Sequence, residues 1–230
     1  MEAAVPGLQV QTQLRSHSAI AHRNPTRTMV KPSPQPETLS LELPSELILH
    51  VTQEQFEALS AANRDVKLER TATGELSVNP PTGGETGYRN IKISYFLVKW
   101  IEEEGGHGVP FDSSTGFKLP NGADRSPDAA WISQDRWQAL TPQQQKGIVP
   151  LCPDFVVELR SESDSLSKLQ AKMQEYIDNG ARLGWLIDPK NRRVEIYCPG
   201  REIAVLENPD TLSGEAILPG FILHLKRVWT

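Results

Sequence analysis

Pro153-Asp-Phe-Val-Val-Glu-Leu-Arg160 is a short apolar run that ends on an acid, Glu158. Read as a strand, it turns Phe155, Val157 and Leu159 to one side and Asp154, Val156, Glu158 and Arg160 to the other. Apolar residues on both sides mean that both faces are covered, as in a sheet flanked by helices. An acid near the end of such a strand is costly to bury unless a cation or hydrogen-bond donors meet it.

Downstream, Ser163 or Asp164 is placed to cap a helix that ends at Asn179-Gly180. Leu183–Ile187 reads as the next strand, and Asp188-Pro-Lys-Asn191 turns it into Arg193–Tyr197. Strand, helix and strand in that order predict a right-handed crossover, with antiparallel strands added after it. The fold class expected is therefore α/β, a mixed central sheet flanked by helices. Residues 200–230 read as short strands and turns without obvious chemistry.

Upstream, Asp128–Ile132 is another strand, preceded by Ser126-Pro127. Ser133 caps a short helix to about Leu140, and Thr141-Pro142 starts another. Val109–Asp112 and Gly116–Leu119 are short strands, with a turn at Asn121-Gly122. Asp124 and Arg125 fall in a loop. A long helix over about Glu85–Glu104 carries Ile91, Tyr95, Val98 and Ile101 at spacings of three to four, and Gly105-Gly106 ends it. Val66–Thr71 and Glu75–Val78 form a hairpin around Thr73-Gly74. Thr52, with Gln55 three residues on, is a capping box for a helix to about Asn63 with Phe56 and Leu59 inward.

Residues 1–37 hold few large apolar residues, no steady period and several prolines. They are expected to be a disordered tail, leaving 38–230 as the domain; Met29 offers an alternative start. The tail has four basic and two acidic residues, so it carries +2 of the net −5 and leaves −7 for the rest. No bulk attraction to nucleic acid follows, and any basic groove must come from a local patch. Two cysteines, Cys152 and Cys198, are too few for a disulfide scaffold or zinc cage, and read as buried thiols in a reducing cytosol. His50, His107 and His224 lack zinc spacing, and Gly83-Gly84 lacks the lysine of a phosphate loop. No apolar run approaches bilayer length, so a soluble, cytoplasmic protein is expected.

The candidate chemistry lies in Asp128, Glu158 and Lys172. At about 100° per residue, Leu166, Leu169, Met173, Tyr176 and Ile177 fall on one helical stripe, with Lys172 just outside its edge and Lys168 further round. Lys172 can lay its stem along the stripe and deliver its amine to the rim of the sheet. Two acids and a lysine are the parts that hold a divalent metal against a phosphate. Asp128, Glu158 and the backbone carbonyl of Leu159 would supply three oxygens to Mg²⁺ or Mn²⁺. Lys172 would orient or deprotonate a water, or stabilise the charge that builds at phosphorus. Arg160 cannot serve as a base, but could grip a phosphate oxygen or pair with Glu158. Glu69, in Lys67-Leu-Glu-Arg70, is either an ordinary charge on a half-exposed strand or a third acid.

These residues resemble the PD-(D/E)XK nuclease superfamily, and more closely its Uma-type branch of restriction-endonuclease-like proteins, common in bacteria. The resemblance runs from about Thr52 to the C-terminus. Its carriers are Leu68-Glu69-Arg70 with Gly74-Glu75-Leu76, Pro81-Thr82-Gly83, Ser126-Pro127-Asp128, Pro153 to Glu158, Lys172-Met-Gln-Glu-Tyr176 and Gly184-Trp-Leu-Ile-Asp-Pro189. It implies metal binding by Asp128 and Glu158. The superfamily's usual lysine position holds Arg160, and the branch places its lysine on the following helix, matching Lys172. The branch's early glutamate matches Glu69. Many members carry a histidine where Gly84-Glu85-Thr86 stands here. The implied function is Mg²⁺-dependent hydrolysis of DNA phosphodiesters, with a homodimer allowed. The rival expectation is a catalytically inactive interaction module on the same scaffold, and a third is hydrolysis of another phosphate ester.

Overall fold

The computed structural model of the protein describes residues 48–229. The tail expected over 1–37 lies outside the described residues. Thr52 closes the expected capping box with Gln55 and starts α1 (Gln53–Ala62), which buries Phe56. β1 (Lys67–Arg70) and β2 (Leu76–Asn79) form the expected hairpin. Gly74 turns it at φ +95°, a conformation open to glycine at no steric cost.

The long helix α2 (Gly84–Glu103) follows. The apolar residues that mark it in the sequence are not those it buries. Ile91, Tyr95 and Val98 are exposed, whereas Asn90, Ile93, Leu97 and Trp100 face inward. Two stripes of similar spacing run along this helix, and periodicity alone does not choose between them.

β3 (Val109–Asp112), β4 (Phe117–Lys118), β5 (Asp124–Arg125) and β6 (Ala129–Ile132) come next. The loop expected at Asp124 and Arg125 is a short strand, because Asp124 pairs with Lys118 and bridges to Arg70. Two short helices, α3 (Gln134–Gln138) and α4 (Pro142–Lys146), lead to β7 (Phe155–Leu159), α5 (Leu166–Asp178) and β8 (Leu183–Asp188). β9 (Arg193–Tyr197), β10 (Ala204–Glu207), β11 (Thr211–Ser213) and β12 (Ile222–His224) complete the strands. Ser165, not Ser163 or Asp164, is the N-cap of α5. Asp164 instead accepts the Ser161 N–H and offers its carbonyl to Arg160, so it closes the loop before the helix.

The main sheet has six strands in the order β10-β9-β8-β7-β6-β3, and β1, β2, β4 and β5 form a second sheet. β7 and β8 run parallel, joined through α5, and the other neighbours in the main sheet are antiparallel. This is the expected mixed α/β architecture. Phe155, Val157 and Leu159 pack on one face with Ile93, Leu97 and Trp100 of α2 and with Phe221 and Leu223. Val156 and Leu186 pack on the other with Met173 and Tyr176 of α5. Gly184 permits that close approach: a Cβ there would stand 2.5 Å from Met173 Cε. The alternation read from β7 is therefore the physical division of the core.

Candidate functional site

Five sequence segments meet at the C-terminal end of β7. On β1, Lys67 and Glu69 are two residues apart and share a face. Glu69 is buried, and its Oε1 accepts the Ser126 backbone N–H at 2.7 Å. That bond ties the first hairpin to the Ser126-Pro127-Asp128 segment. Asp128 leads into β6. Its own N–H donates to the Val157 carbonyl at 2.9 Å, and its Oδ2 accepts the Leu159 N–H at 2.8 Å. Asp128 and the Leu159 backbone N–H are thus in direct contact.

Glu158 comes from β7 and is buried. Lys172, from the edge of the apolar stripe of α5, places its Nζ 2.8 Å from Glu158 Oε1 and 2.8 Å from Glu69 Oε1. Tyr176, one turn further along α5, donates its hydroxyl to Glu158 Oε1 at 3.0 Å. Lys67 Nζ stands 3.9 Å from Asp128 Oδ1, and Asn90 of α2 donates Nδ2 to the same oxygen at 3.2 Å. The structure therefore brings together Glu69, Asp128, Glu158, Leu159 and Lys172. Lys168 stays exposed. Arg160 pairs with Asp188 at 2.6 Å, not with Glu158, so the simple ion pair between Glu158 and Arg160 is not formed.

Charge explains how the cluster survives burial. Three carboxylates face two ammonium groups, which leaves an excess of negative charge if all ionise. Burial, opposed by Lys172 but reinforced by Asp128 and Glu69, pushes the Glu158 carboxyl from 4.5 up to about 7. Glu69 moves the other way. Burial opposes its charge, but Lys172, Lys67 and the Ser126 N–H outweigh that cost and hold it below the usual carboxylate range. The two acids share one lysine; the extra donors at Glu69 and the extra acids at Glu158 separate them. Lys172 is itself held charged: burial disfavours the ammonium, and Glu158 and Glu69 more than compensate. Lys172 is consequently a cation at neutral pH, suited to orienting and neutralising rather than to taking a proton.

The donor set is made of hard oxygens, the kind that suits Mg²⁺ or Mn²⁺. Lys172 and Tyr176 both bond Oε1 of Glu158, so Oε2 carries neither of those bonds. Among the described residues, no group of three His, Cys, Asp or Glu side chains is drawn into a cation cage. Lys172 stands between Glu69 and Glu158, and the expected set needs two carboxylates and a carbonyl rather than three acids. In donor type, Asp128, Glu158 and the Leu159 carbonyl suit such an ion.

Sequence reasoning missed three participants. Lys67 could have been found from its position two residues before Glu69 on one strand. Tyr176 was legible as core, but its hydroxyl's partner was not. Asn90 lies on the buried stripe of α2 with Ile93, Leu97 and Trp100, and only a choice of that stripe over the exposed one would have revealed it. Glu85, in the first turn of α2, pairs with Arg89 at 3.1 Å and is exposed. Cys152 and Cys198 are free thiols, and burial pushes the Cys152 thiol up to about 12.

The Uma2 family model, described as "Putative restriction endonuclease", matches residues 53–226. The chain belongs to the Uma2 family. Among solved structures, it is similar to a crystal structure titled as a putative nuclease belonging to DUF820 from Anabaena variabilis. The TM-score is 0.59 at 19% identity, over 70% of this chain and 89% of that one. At that identity the likeness shows a shared fold. No curated protein matches the chain. Among the described residues of this Uma2 protein, no helix is long and apolar enough to cross a membrane.

Proposed function

We propose that this Uma2 protein is a metal-dependent, cytoplasmic endonuclease that hydrolyses DNA phosphodiester bonds. The observation that carries the proposal is the Lys172 link between Glu69 and Glu158 at the C-terminal end of β7, with Asp128 held by the next backbone N–H, that of Leu159. Open α/β sheets place their ligand sites at such ends. Asp128, Glu158 and the Leu159 carbonyl would hold Mg²⁺ or Mn²⁺. When bound, that ion lowers the pKa of a coordinated water and screens the charge on the scissile phosphate.

Asp128 is fixed by the Leu159 N–H and Asn90, so its carboxylate needs little reordering to bind. Glu69 and Glu158 hold the Lys172 ammonium, which can orient the attacking water and neutralise charge on the phosphoryl oxygens. In the reaction, a water oxygen bonds to phosphorus, the ester P–O bond breaks and the departing oxygen takes a proton. Next to Lys67 an open cavity of about 210 Å³ is lined in part by Arg64, Arg125, Ser60 and Ser126. Asp124 also lines it and Arg125 is paired with Glu175 at 2.6 Å, so Arg64 and Lys67 are the cations of this wall that could meet a phosphate chain.

The test is nicking of supercoiled plasmid in Mg²⁺ or Mn²⁺ by wild type and by Glu158→Gln and Glu158→Ala. Wild type should cut and both variants should not, with far-ultraviolet circular dichroism unchanged. Equal cutting by Glu158→Ala would remove the proposal. Parallel single-stranded DNA, RNA and simple phosphate-ester substrates separate DNA cleavage from other ester hydrolysis. The second reading, an inactive interaction module, is favoured by the net charge of −5 and by the exposed Tyr88, Ile91 and Tyr95 of α2. Metal binding without cleavage of any substrate would select it.

A further inference from the structure

Asn90 is buried on α2, and its Nδ2 donates to Asp128 Oδ1. Its Oδ1 is also buried and, among the described residues, has no hydrogen-bond partner. A buried acceptor without a donor costs on the order of 1–3 kcal/mol. Turning the amide over does not remove the problem, because the oxygen would then face the oxygen of Asp128. The orientation is thus set by Asp128, and the orphaned atom is the oxygen. Both amide heteroatoms share one carbon, so Oδ1 lies no more than about 5.5 Å from the Asp128 carboxylate. That is within the hydration shell of an ion held by Asp128, and a divalent ion such as Mg²⁺ keeps several of its waters.

We infer that Asn90 is a positioning residue of the metal centre: its Nδ2 anchors Asp128, and its Oδ1 accepts a hydrogen bond from a water in the cation's coordination sphere. This inference rests on the metal centre proposed above. Metal-bound water is a strong donor, since the ion withdraws charge from its O–H bonds. An acceptor fixed on the buried face of a helix would orient that water without carrying charge of its own. Outer partners of this kind set both ligand orientation and affinity.

The experiment is Mn²⁺ titration calorimetry on the full chain, with melting temperature recorded in the absence of metal. Asp128→Ala controls for the centre itself. Asn90→Ala and Asn90→Leu remove both amide groups, the leucine keeping the buried volume so that a folding defect of the alanine variant does not decide the outcome. Asn90→Asp keeps an acceptor and discards the donor. The alanine and leucine variants should bind Mn²⁺ about 10- to 100-fold more weakly than wild type, and Asn90→Asp, which loses the anchor but keeps the acceptor, between them and wild type. Leucine-variant binding within about twofold of wild type, while Asp128→Ala does not bind, overturns the role of Asn90 and leaves the centre standing. Binding by Asn90→Asp as weak as by Asn90→Ala overturns the water contact. No Mn²⁺ binding by wild type, or undiminished binding by Asp128→Ala, overturns the centre and this inference with it.

Discussion

Lys172 Nζ lies 2.8 Å from Glu69 Oε1, a contact between residues 103 positions apart. It joins a strand of the second sheet to the crossover helix of the main one. Because Lys172 also meets Glu158 at 2.8 Å, a single ammonium holds two buried carboxylates. Removing it leaves uncompensated charge, which costs about 3–5 kcal/mol where a buried pair is broken. Lys172→Ala should therefore lower the urea midpoint strongly. Lys168→Ala, on the exposed side of the same helix, should stay within about 0.5 kcal/mol of wild type. Equal midpoints for the two variants would contradict a buried ion triad.

The raised carboxyl of Glu158 predicts how metal affinity depends on pH. A proton and a cation compete for this carboxylate, and it releases its proton near 7. Mn²⁺ affinity should be flat above about pH 8 and fall about tenfold per pH unit below 7. For stability, the signs of the two glutamates oppose each other. The folded state keeps a proton on Glu158 between 4.5 and about 7, so this contribution is present at low pH and lost as pH rises through 7. Glu69, held low, contributes above its unfolded value and loses that contribution as pH falls. Calorimetric titration at several pH values checks the affinity slope. A midpoint near 4.5 would show that Glu158 is not in the environment described.

Arg160 pairs with Asp188, whose carboxyl also accepts Asn191 Nδ2. Arg160→Ala should weaken the turn after β8, at a cost of about 1–3 kcal/mol. It should leave the pH midpoint of Mn²⁺ binding where it is. A shift of that midpoint would tie Arg160 to Glu158 after all.

The two stripes of α2 give a further test. Leu97 is fully buried against the main sheet, whereas Ile91 is 65% exposed. Leu97→Ala should cost about 2–5 kcal/mol, and Ile91→Ala less than about 0.5 kcal/mol, by chemical denaturation.

The sequence by itself determined the strand of Phe155–Leu159, its division of the core, the crossover through Leu166–Asp178 and the helix edge that carries Lys172. These follow from local periodicity and caps, which depend only on neighbouring residues. It also nominated Asp128, Glu158 and Glu69, because acids at the ends of apolar strands are conspicuous. Tertiary structure alone decided which stripe of α2 is buried, that Asp124 and Arg125 pair as a strand, and that Arg160 turns to Asp188. It also decided that Asn90 and Tyr176 reach Asp128 and Glu158. The Ser165 cap is set locally, by the bonds of Asp164 to Ser161 and Arg160; each of the others depends on a partner far along the chain, and which of two similar faces meets that partner is fixed only when the layers pack together.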